Sequence, residues 1–335
     1  MQSLRVIGVL MVFVCSLRSG RSKTANTVEE MLAATLEGYD PVVLQQMLDE
    51  TEDNSNTKCH HISFWLYTKA HNHTGLELVV GDPGTLTSSD FDGSKPTKIL
   101  IHGWLGDAVD YESVCMMLKA EYLESGNYNV VCVDWAVLAI DLPYITARLR
   151  CRIIGNCVAD LVSMLVDNSA QTVDDIHIIG FSMGAHIAGY VGKRFDGRLQ
   201  RITGLDPARP LFFSRMPSER LNENDATFVD VVHTTSFLLG EHKPIGKIDF
   251  YPNGGYTRQP GCRGIYFFGE VCSHYKSYEY YARSIQSEGD ESFKAVRCEQ
   301  WEDYKKSTCK DYDDFTYMGE YASSNFSGNY YLAIK

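Results

Sequence analysis

A serine flanked by glycines is the feature of this chain that most directly suggests chemistry. Gly180-Phe181-Ser182-Met183-Gly184 reads G-x-S-x-G, follows an apolar run of strand type, and precedes small and apolar residues at helical spacing as far as Phe195. Strand, tight turn and helix are the context in which this motif forms a nucleophile elbow. The glycines remove the Cβ atoms that would clash in such a turn. The pattern predicts that Ser182 is a nucleophile, rather than an incidental serine in a glycine-rich turn.

A serine hydroxyl needs a base, a group that orients the base, and donors for the oxyanion. In α/β-hydrolases the acidic residue follows the serine along the chain, and the histidine comes last. Residues 201–205 read as a strand, and Asp206 follows it directly, before Pro207. Asp206 is therefore predicted to lie at the same sheet edge as Ser182 and to orient the base. The alternative is a turn-forming aspartate before proline.

Several histidines could supply the base. His274 precedes a predicted helix over 275–287, and a residue at such a loop-to-helix junction can reach over the edge of a sheet. His233 closes an apolar run and is predicted to be a core or support residue. His242 lies in a polar loop, and His186 is predicted to pack on the helix after the elbow. We therefore predict His274 as the base.

A glycine-containing loop upstream has the position of an oxyanion loop. The predicted strand Lys98-Ile99-Leu100-Ile101 leads into His102-Gly103-Trp104-Leu105-Gly106. The expected donors are the backbone N–H of Trp104 and that of Met183, the residue after the nucleophile.

These residues together resemble the pancreatic lipase family. The matching stretches are I-H-G-W at 101–104, V-D-W at 133–135, the elbow, G-L-D-P-A at 204–208, D-F-Y-P-N-G-G at 249–255 and C-S-H at 272–274. The resemblance covers roughly residues 62–332. It implies an α/β-hydrolase fold, with a mostly parallel central sheet and helices on both faces. Alternating apolar strands and helices fit the same fold. The resemblance also implies the roles already given to Ser182, Asp206 and His274.

A short lid narrows the resemblance to one branch. In this family the lid lies between two cysteines before the catalytic histidine, here Cys262 and Cys272. The intervening segment is expected to form a turn or a short hairpin, not a covering helix. The short lid and the short loop 233–249 together resemble the phospholipase A1 branch of the family, the venom-type enzymes in particular. The expected lipid contacts, unless they pack down on the domain, are Ile265, Tyr266, Phe267 and Phe268.

The chain also departs from the lipases of the family. It ends at Lys335, so we expect neither their C-terminal β-sandwich domain nor a colipase partner. Their calcium loop is only half matched, by Arg220, Asn222 and Asp225, with fewer acidic ligands. No metal site or cofactor is expected, and a structural calcium ion is doubtful.

The beginning of the chain is typical of a secreted protein. Residues 1–20 are predicted to be a signal peptide, because Arg5 precedes the apolar run 6–14, which is too short to span a bilayer. Residues 21–58 are predicted to be an N-terminal extension or a pro-segment, and residues 59–335 a catalytic domain. No later segment is long and apolar enough to be a transmembrane anchor. Asn72 and Asn325 lie in glycosylation sequons.

Nine cysteines remain once Cys15 leaves with the signal peptide, and they indicate an oxidising compartment. The family resemblance implies two disulfides, Cys262–Cys272 and Cys298–Cys309. The other five have no assigned pairing, and their odd number requires a free thiol or an intermolecular bond. Cys132, inside an apolar strand, is predicted to be a small buried hydrophobe. The five are Cys59, Cys115, Cys132, Cys151 and Cys157.

The charge balance limits the classes of partner. With 31 basic and 43 acidic residues, the net charge is −12, which argues against nucleic acid and against a strong anchor on anionic membranes. The sequence is best interpreted as a secreted phospholipase A1 acting on the sn-1 ester at an aggregate or membrane surface. The alternatives are a triacylglycerol or galactolipid lipase and, in another class, a non-catalytic lipid-binding or yolk-type protein on a lipase scaffold.

Overall fold

A mostly parallel β-sheet forms the middle layer of the chain. The computed structural model describes residues 59–140, 144–212, 215–236, 238–263, 267–310 and 313–335. The predictions for residues 1–58 therefore lie outside the described residues. The strands are β1 Ser63–Tyr67, β2 Leu76–Leu78, β3 Thr97–Ile101, β4 Asn129–Asp134, β5 Ile176–Phe181, β6 Arg201–Leu205, β7 Phe228–Val232, β8 Ile248–Pro252, β9 Lys294–Arg297, β10 Phe315–Tyr317 and β11 Gly328–Leu332.

Within the described ranges all of these strands belong to one sheet, in the order β10-β9-β11-β8-β7-β6-β5-β3-β4-β1-β2. The strands from β4 to β11 in this order run parallel, and antiparallel strands complete both edges. The central strands β3, β5, β6 and β7 are buried along their whole length, as expected of a sheet covered on both faces.

Helices cover the two faces of the sheet, which confirms the predicted α/β-hydrolase architecture. The helices are α1 Pro83–Thr87, α2 Val114–Ser125, α3 Ala136–Ile140, α4 Tyr144–Asp167, α5 Met183–Arg194, α6 Phe267–Ile285 and α7 Trp301–Lys306. Side chains from α4 and α5 share one apolar core, and side chains from α2 and α6 share the other. Among the described helices, none combines the length and the apolar character needed to cross a membrane.

The register of the central strands brings the predicted site to one edge. Ile101 of β3 lies opposite Gly180 of β5, which in turn lies opposite Gly204 of β6. Because parallel strands end at a common edge, the segments after Ile101, Phe181 and Leu205 emerge side by side. The predicted strands at 98–101 and 201–205 and the helix after the elbow are confirmed.

Helix α6 begins earlier than the sequence pattern suggested. The prediction placed its start at Tyr275, whereas the helix already begins at Phe267, so His274 lies inside it. The expectation of a turn or hairpin throughout the lid segment is therefore wrong for residues 267–271. Glu270 explains the early start, because its buried carboxylate accepts hydrogen bonds from the backbone N–H of Leu238 and from the hydroxyl of Thr257.

The disulfides give the pairing of the cysteines that the sequence left unassigned. Cys262–Cys272 and Cys298–Cys309 are present, as the family resemblance implied. Cys59 pairs with Cys157, and Cys151 in α4 is a buried free thiol. Cys132 pairs with Cys115, so its prediction as an unpaired hydrophobe is wrong. The side chain of Cys132 leaves β4 on the face that α2 covers, and α2 carries Cys115.

Buried charges fix the opposite end of the sheet. Arg201 donates two hydrogen bonds to the carboxylate of Asp230, at 2.8 and 2.9 Å, and two more to carbonyl oxygens of Gly319 and Glu320. Lys98 donates to the Glu320 carboxylate at 2.6 Å. These contacts link the amino ends of β3 and β6 and the middle of β7 to the segment before β11, leaving the carboxyl ends to form the site.

Candidate active site

Ser182 occupies a strained turn between β5 and α5. Its φ of 56° lies in a region that non-glycine residues rarely adopt. A Cβ at Gly180 would collide with the backbone of Gly184, and a Cβ at Gly184 would collide with the carbonyl oxygen of Ile101. The Ser182 backbone N–H donates to the Leu205 carbonyl at 3.0 Å. The two glycines thus allow helix and strand to meet closely enough to hold Ser182 in the predicted elbow.

Asp206 and His274 form a buried pair beside this turn. The Asp206 carboxylate is fully buried, and its Oδ2 lies 2.6 Å from Nδ1 of His274. With Nδ1–H donating to Asp206, the lone pair of the imidazole is on Nε2. The His274 ring packs against the ring of Phe181, the residue before Ser182, with centroids 4.5 Å apart. An acid and a base predicted from the sequence are therefore brought together, 68 residues apart in the chain.

Two threonines that the sequence reasoning missed hold the Asp206 carboxylate. The backbone N–H groups of Thr234 and Thr235 donate to Oδ1 at 2.8 and 3.0 Å, and the Thr235 hydroxyl donates to Oδ2 at 2.6 Å. These three donors fix the orientation of the carboxylate. Both residues follow β7, the neighbour of β6 in the sheet. Their position after a predicted strand was the signal that could have identified them.

His102 fixes the loop that passes over Ser182. Its Nε2 accepts a hydrogen bond from the backbone N–H of Trp135 at 3.1 Å, so Nδ1 carries the proton and donates to the Gly103 carbonyl at 2.9 Å. Because the peptide unit is planar and trans, this carbonyl directs the Trp104 N–H to the opposite side. A Cβ at Gly103 would stand 2.9 Å from the Cβ of Ser182, so the loop lies directly against the elbow.

The second predicted oxyanion donor comes from the elbow helix. Met183 is the first residue of α5, so its backbone N–H has no acceptor within the helix. Its buried side chain fixes the helix start. The N–H groups predicted to bind an oxyanion therefore belong to two segments that both contact Ser182.

Two other histidines, His233 and His186, have structural partners. His233 is fully buried and donates to the Glu241 carbonyl and to Asp249 Oδ1, the latter at 2.8 Å. Burial disfavours the charged ring, but the hydrogen bond and charge of Asp249 outweigh it, so the pKa of His233 is raised. Burial lowers the pKa of His186 to about 3, and this ring donates to the Ala208 carbonyl. Both rings are support residues, as predicted.

The predicted lid residues are only partly described. Ile265 and Tyr266 lie outside the described residues, Phe267 begins α6, and Phe268 is 63% exposed. Cys262 and Cys272 close the segment with their disulfide. The two sequon asparagines, Asn72 and Asn325, are exposed, which is compatible with glycosylation; their modification remains a prediction.

The half-matched calcium loop does not fit a calcium ion. Asn222 and Asp225 contact each other, with Asn222 Nδ2 donating to Asp225 Oδ1 at 2.9 Å, but Asp225 is the only carboxylate of the pair. In the described part of the chain, no three histidine, cysteine, aspartate or glutamate side chains come together as metal ligands do.

Comparison with known proteins adds a family match. The model of the family named Lipase matches residues 38–334, and so begins within the segment 21–58. Lipase member H-A of Xenopus laevis is 38% identical over 260 residues, covering 76% of this chain and 54% of that protein. Human pancreatic lipase-related protein 2 is 35% identical over 267 residues, covering 73% and 55%. The chain thus spans about half the length of these relatives.

Among solved structures, the α/β-hydrolase MGS-M1 from a deep-sea metagenome is similar, with 14% identity. The match covers 56% of this chain and 68% of that one, with a TM-score of 0.31. This likeness is too distant to add to the argument from the geometry.

Replacing Asp249 with asparagine tests the support role of His233. Because the pKa of His233 is raised above its usual 6.5, the pair stabilises the fold fully below that pH and less as the pH rises through the raised pKa. We expect D249N to lower the free energy of unfolding by about 3 kcal/mol just below pH 6.5. The deficit should shrink towards alkaline pH in urea unfolding at stepped pH. A deficit that does not change with pH, or one equalled by the exposed-histidine control His61→Gln, would contradict this role.

Proposed function

The chain belongs to the lipase family, and on that premise we propose that it is a secreted phospholipase A1 that releases the sn-1 fatty acid from glycerophospholipids. The observation that carries the proposal is the arrangement at the sheet edge. Ser182 stands in a strained turn, the His274–Asp206 pair lies beside it, and the loop at Gly103 passes directly over it. These groups have the chemistry of an acyl-transfer site.

In the proposed reaction the Ser182 oxygen attacks the ester carbonyl while Nε2 of His274 takes the hydroxyl proton. Asp206 stabilises the imidazolium through its hydrogen bond to Nδ1. The N–H groups of Trp104 and Met183 donate to the oxyanion of the tetrahedral intermediate. His274 then gives its proton to the departing lysophospholipid oxygen, which leaves an acyl-enzyme. Water, deprotonated by His274, hydrolyses the acyl-enzyme and restores the serine.

The short lid supports a phospholipid rather than a triacylglycerol as the substrate. The Cys262–Cys272 disulfide ties the ends of the segment, and its last residues belong to α6. The nine residues between Cys262 and Cys272 are too few for a helix that folds over Ser182. A lid this short would leave room above Ser182 for a bulky phosphate head group.

Exposed apolar side chains around the site support a substrate in a lipid aggregate. The four most exposed large apolar residues described are Tyr111, Met216, Val109 and Phe268, at 89%, 68%, 64% and 63% exposure. They lie on the segments after β3 and β6 and at the start of α6, all at the edge that carries Ser182. Exposed apolar side chains near a site are typical of a surface that contacts another apolar phase.

Single substitutions test the proposed catalytic roles. We expect Ser182→Ala and His274→Ala each to lower kcat/KM for a short-chain ester on the order of 10⁴-fold, because the nucleophile and base act as a unit. His242→Ala is the matched control and should retain activity. Near-normal turnover of Ser182→Ala, or loss of activity in His242→Ala with retention in His274→Ala, would contradict the assignment.

The choice of substrate is tested by acid release from phosphatidylcholine and triolein side by side. We expect sn-1 release from phosphatidylcholine to be the faster reaction, with a rate that rises smoothly through the critical micelle concentration of a short-chain substrate, because no lid must open first. Faster release from triolein would favour the lipase alternative. No release from either would favour a non-catalytic lipid-binding protein.

A further inference from the structure

The ammonium group of Lys193 contacts three oxygen atoms. Lys193 lies in the last turn of α5, and three-quarters of its side chain is buried. Its Nζ is 2.7 Å from Asp225 Oδ2, 2.8 Å from the Arg220 carbonyl oxygen and 3.4 Å from the Gly189 carbonyl oxygen. The ammonium group has three N–H donors, so each of these oxygens can accept one.

The loop that supplies these oxygens is built closely around the ammonium. Asp225 Oδ2 also accepts the backbone N–H of Asn222 at 2.9 Å, and the Asn222 amide donates to the Pro217 carbonyl at 3.0 Å. A Cβ at Gly189 would stand 2.9 Å from Asp225 Oδ2. The approach of loop 217–225 to α5 therefore requires a glycine on the helix and a compact cation between helix and loop.

Two carbonyl oxygens and a carboxylate are the ligand set that a hard cation such as calcium prefers. The same loop contains Arg220, Asn222 and Asp225, the residues that half match the calcium loop of the related lipases. Here a lysine ammonium, a compact and strongly hydrated point charge, already contacts two of these three residues.

We propose that the Lys193 ammonium is a built-in cation that takes the place of a metal ion in loop 217–225, which makes the fold independent of calcium. A divalent ion bound to the same oxygens would be in contact with the lysine ammonium and would be repelled by it. Asp225 alone would supply the negative charge for both cations. Lysine and calcium therefore exclude each other at this position. The Lys193 ammonium links α5, the helix that begins after Ser182, to the loop that follows Asp206.

Substitution of Lys193 with methionine keeps an unbranched side chain, one atom shorter, and removes the charge. In EDTA we expect Lys193→Met to lower Tm by roughly 5 °C, because it leaves the buried Asp225 without its partner. Millimolar calcium should restore part of this loss in Lys193→Met, and more in Lys193→Met/Asn222→Asp, which adds a second carboxylate. Calcium should not change Tm of the wild type. The control is Lys247→Met, which removes an exposed ammonium bonded to the Ser324 carbonyl.

Terbium binding gives a readout that does not depend on the proposed activity. The Tyr190 ring lies 5.7 Å from Lys193 Nζ and would sensitise a lanthanide at that position. We expect terbium luminescence from Lys193→Met/Asn222→Asp. The wild type should give no more luminescence than the control Lys247→Met. Three results would overturn the proposal: a rise of wild-type Tm in calcium, a Lys193→Met variant as stable as the wild type in EDTA, or variants with no response to either metal. A rise of wild-type Tm in calcium overturns the proposal even if the variants do not fold.

Discussion

The turn at Ser182 can form because Gly180 and Gly184 have no side chains, and the rest of the site depends on that turn. Backbone at Gly184 and Ile101 fills the space that Cβ atoms at Gly180 and Gly184 would need. A non-glycine residue held at positive φ costs about 1–3 kcal/mol, so the surrounding structure must hold it there. The hydrogen bonds of the Ser182 backbone to Leu205 and Ala208 supply that restraint, since they join the turn to the end of β6.

At this edge the sheet positions some of the site residues and a helix positions another. Parallel strands place Ser182, Asp206 and the loop after β3 side by side without any contact between distant helices. The base is different, because His274 comes from α6, beyond the last of these strands. Glu270 and the Cys262–Cys272 disulfide anchor the start of α6, so the residues around the predicted lid also position the imidazole.

The features that the sequence predicted are those with local signals. The strands before Ser182 and Asp206 are short and largely apolar, and glycines mark the elbow and the oxyanion loop. The start of α6 was missed because it depends on Glu270 contacting a loop some thirty residues earlier in the chain. The Cys115–Cys132 bond was missed because a buried strand cysteine looks the same whether or not a helix above it carries a partner.

The central claim, that Ser182 is the activated nucleophile of a carboxylester hydrolase, is tested most directly by covalent trapping. A fluorophosphonate with a long alkyl chain reacts with activated serines, and peptide mass spectrometry locates the adduct. The account predicts one adduct, on the peptide that contains Ser182, and a strongly reduced rate of labelling in Asp206→Asn, because the imidazole loses the carboxylate that holds its tautomer. An adduct on another residue, no adduct, or an equal rate in Asp206→Asn would contradict it.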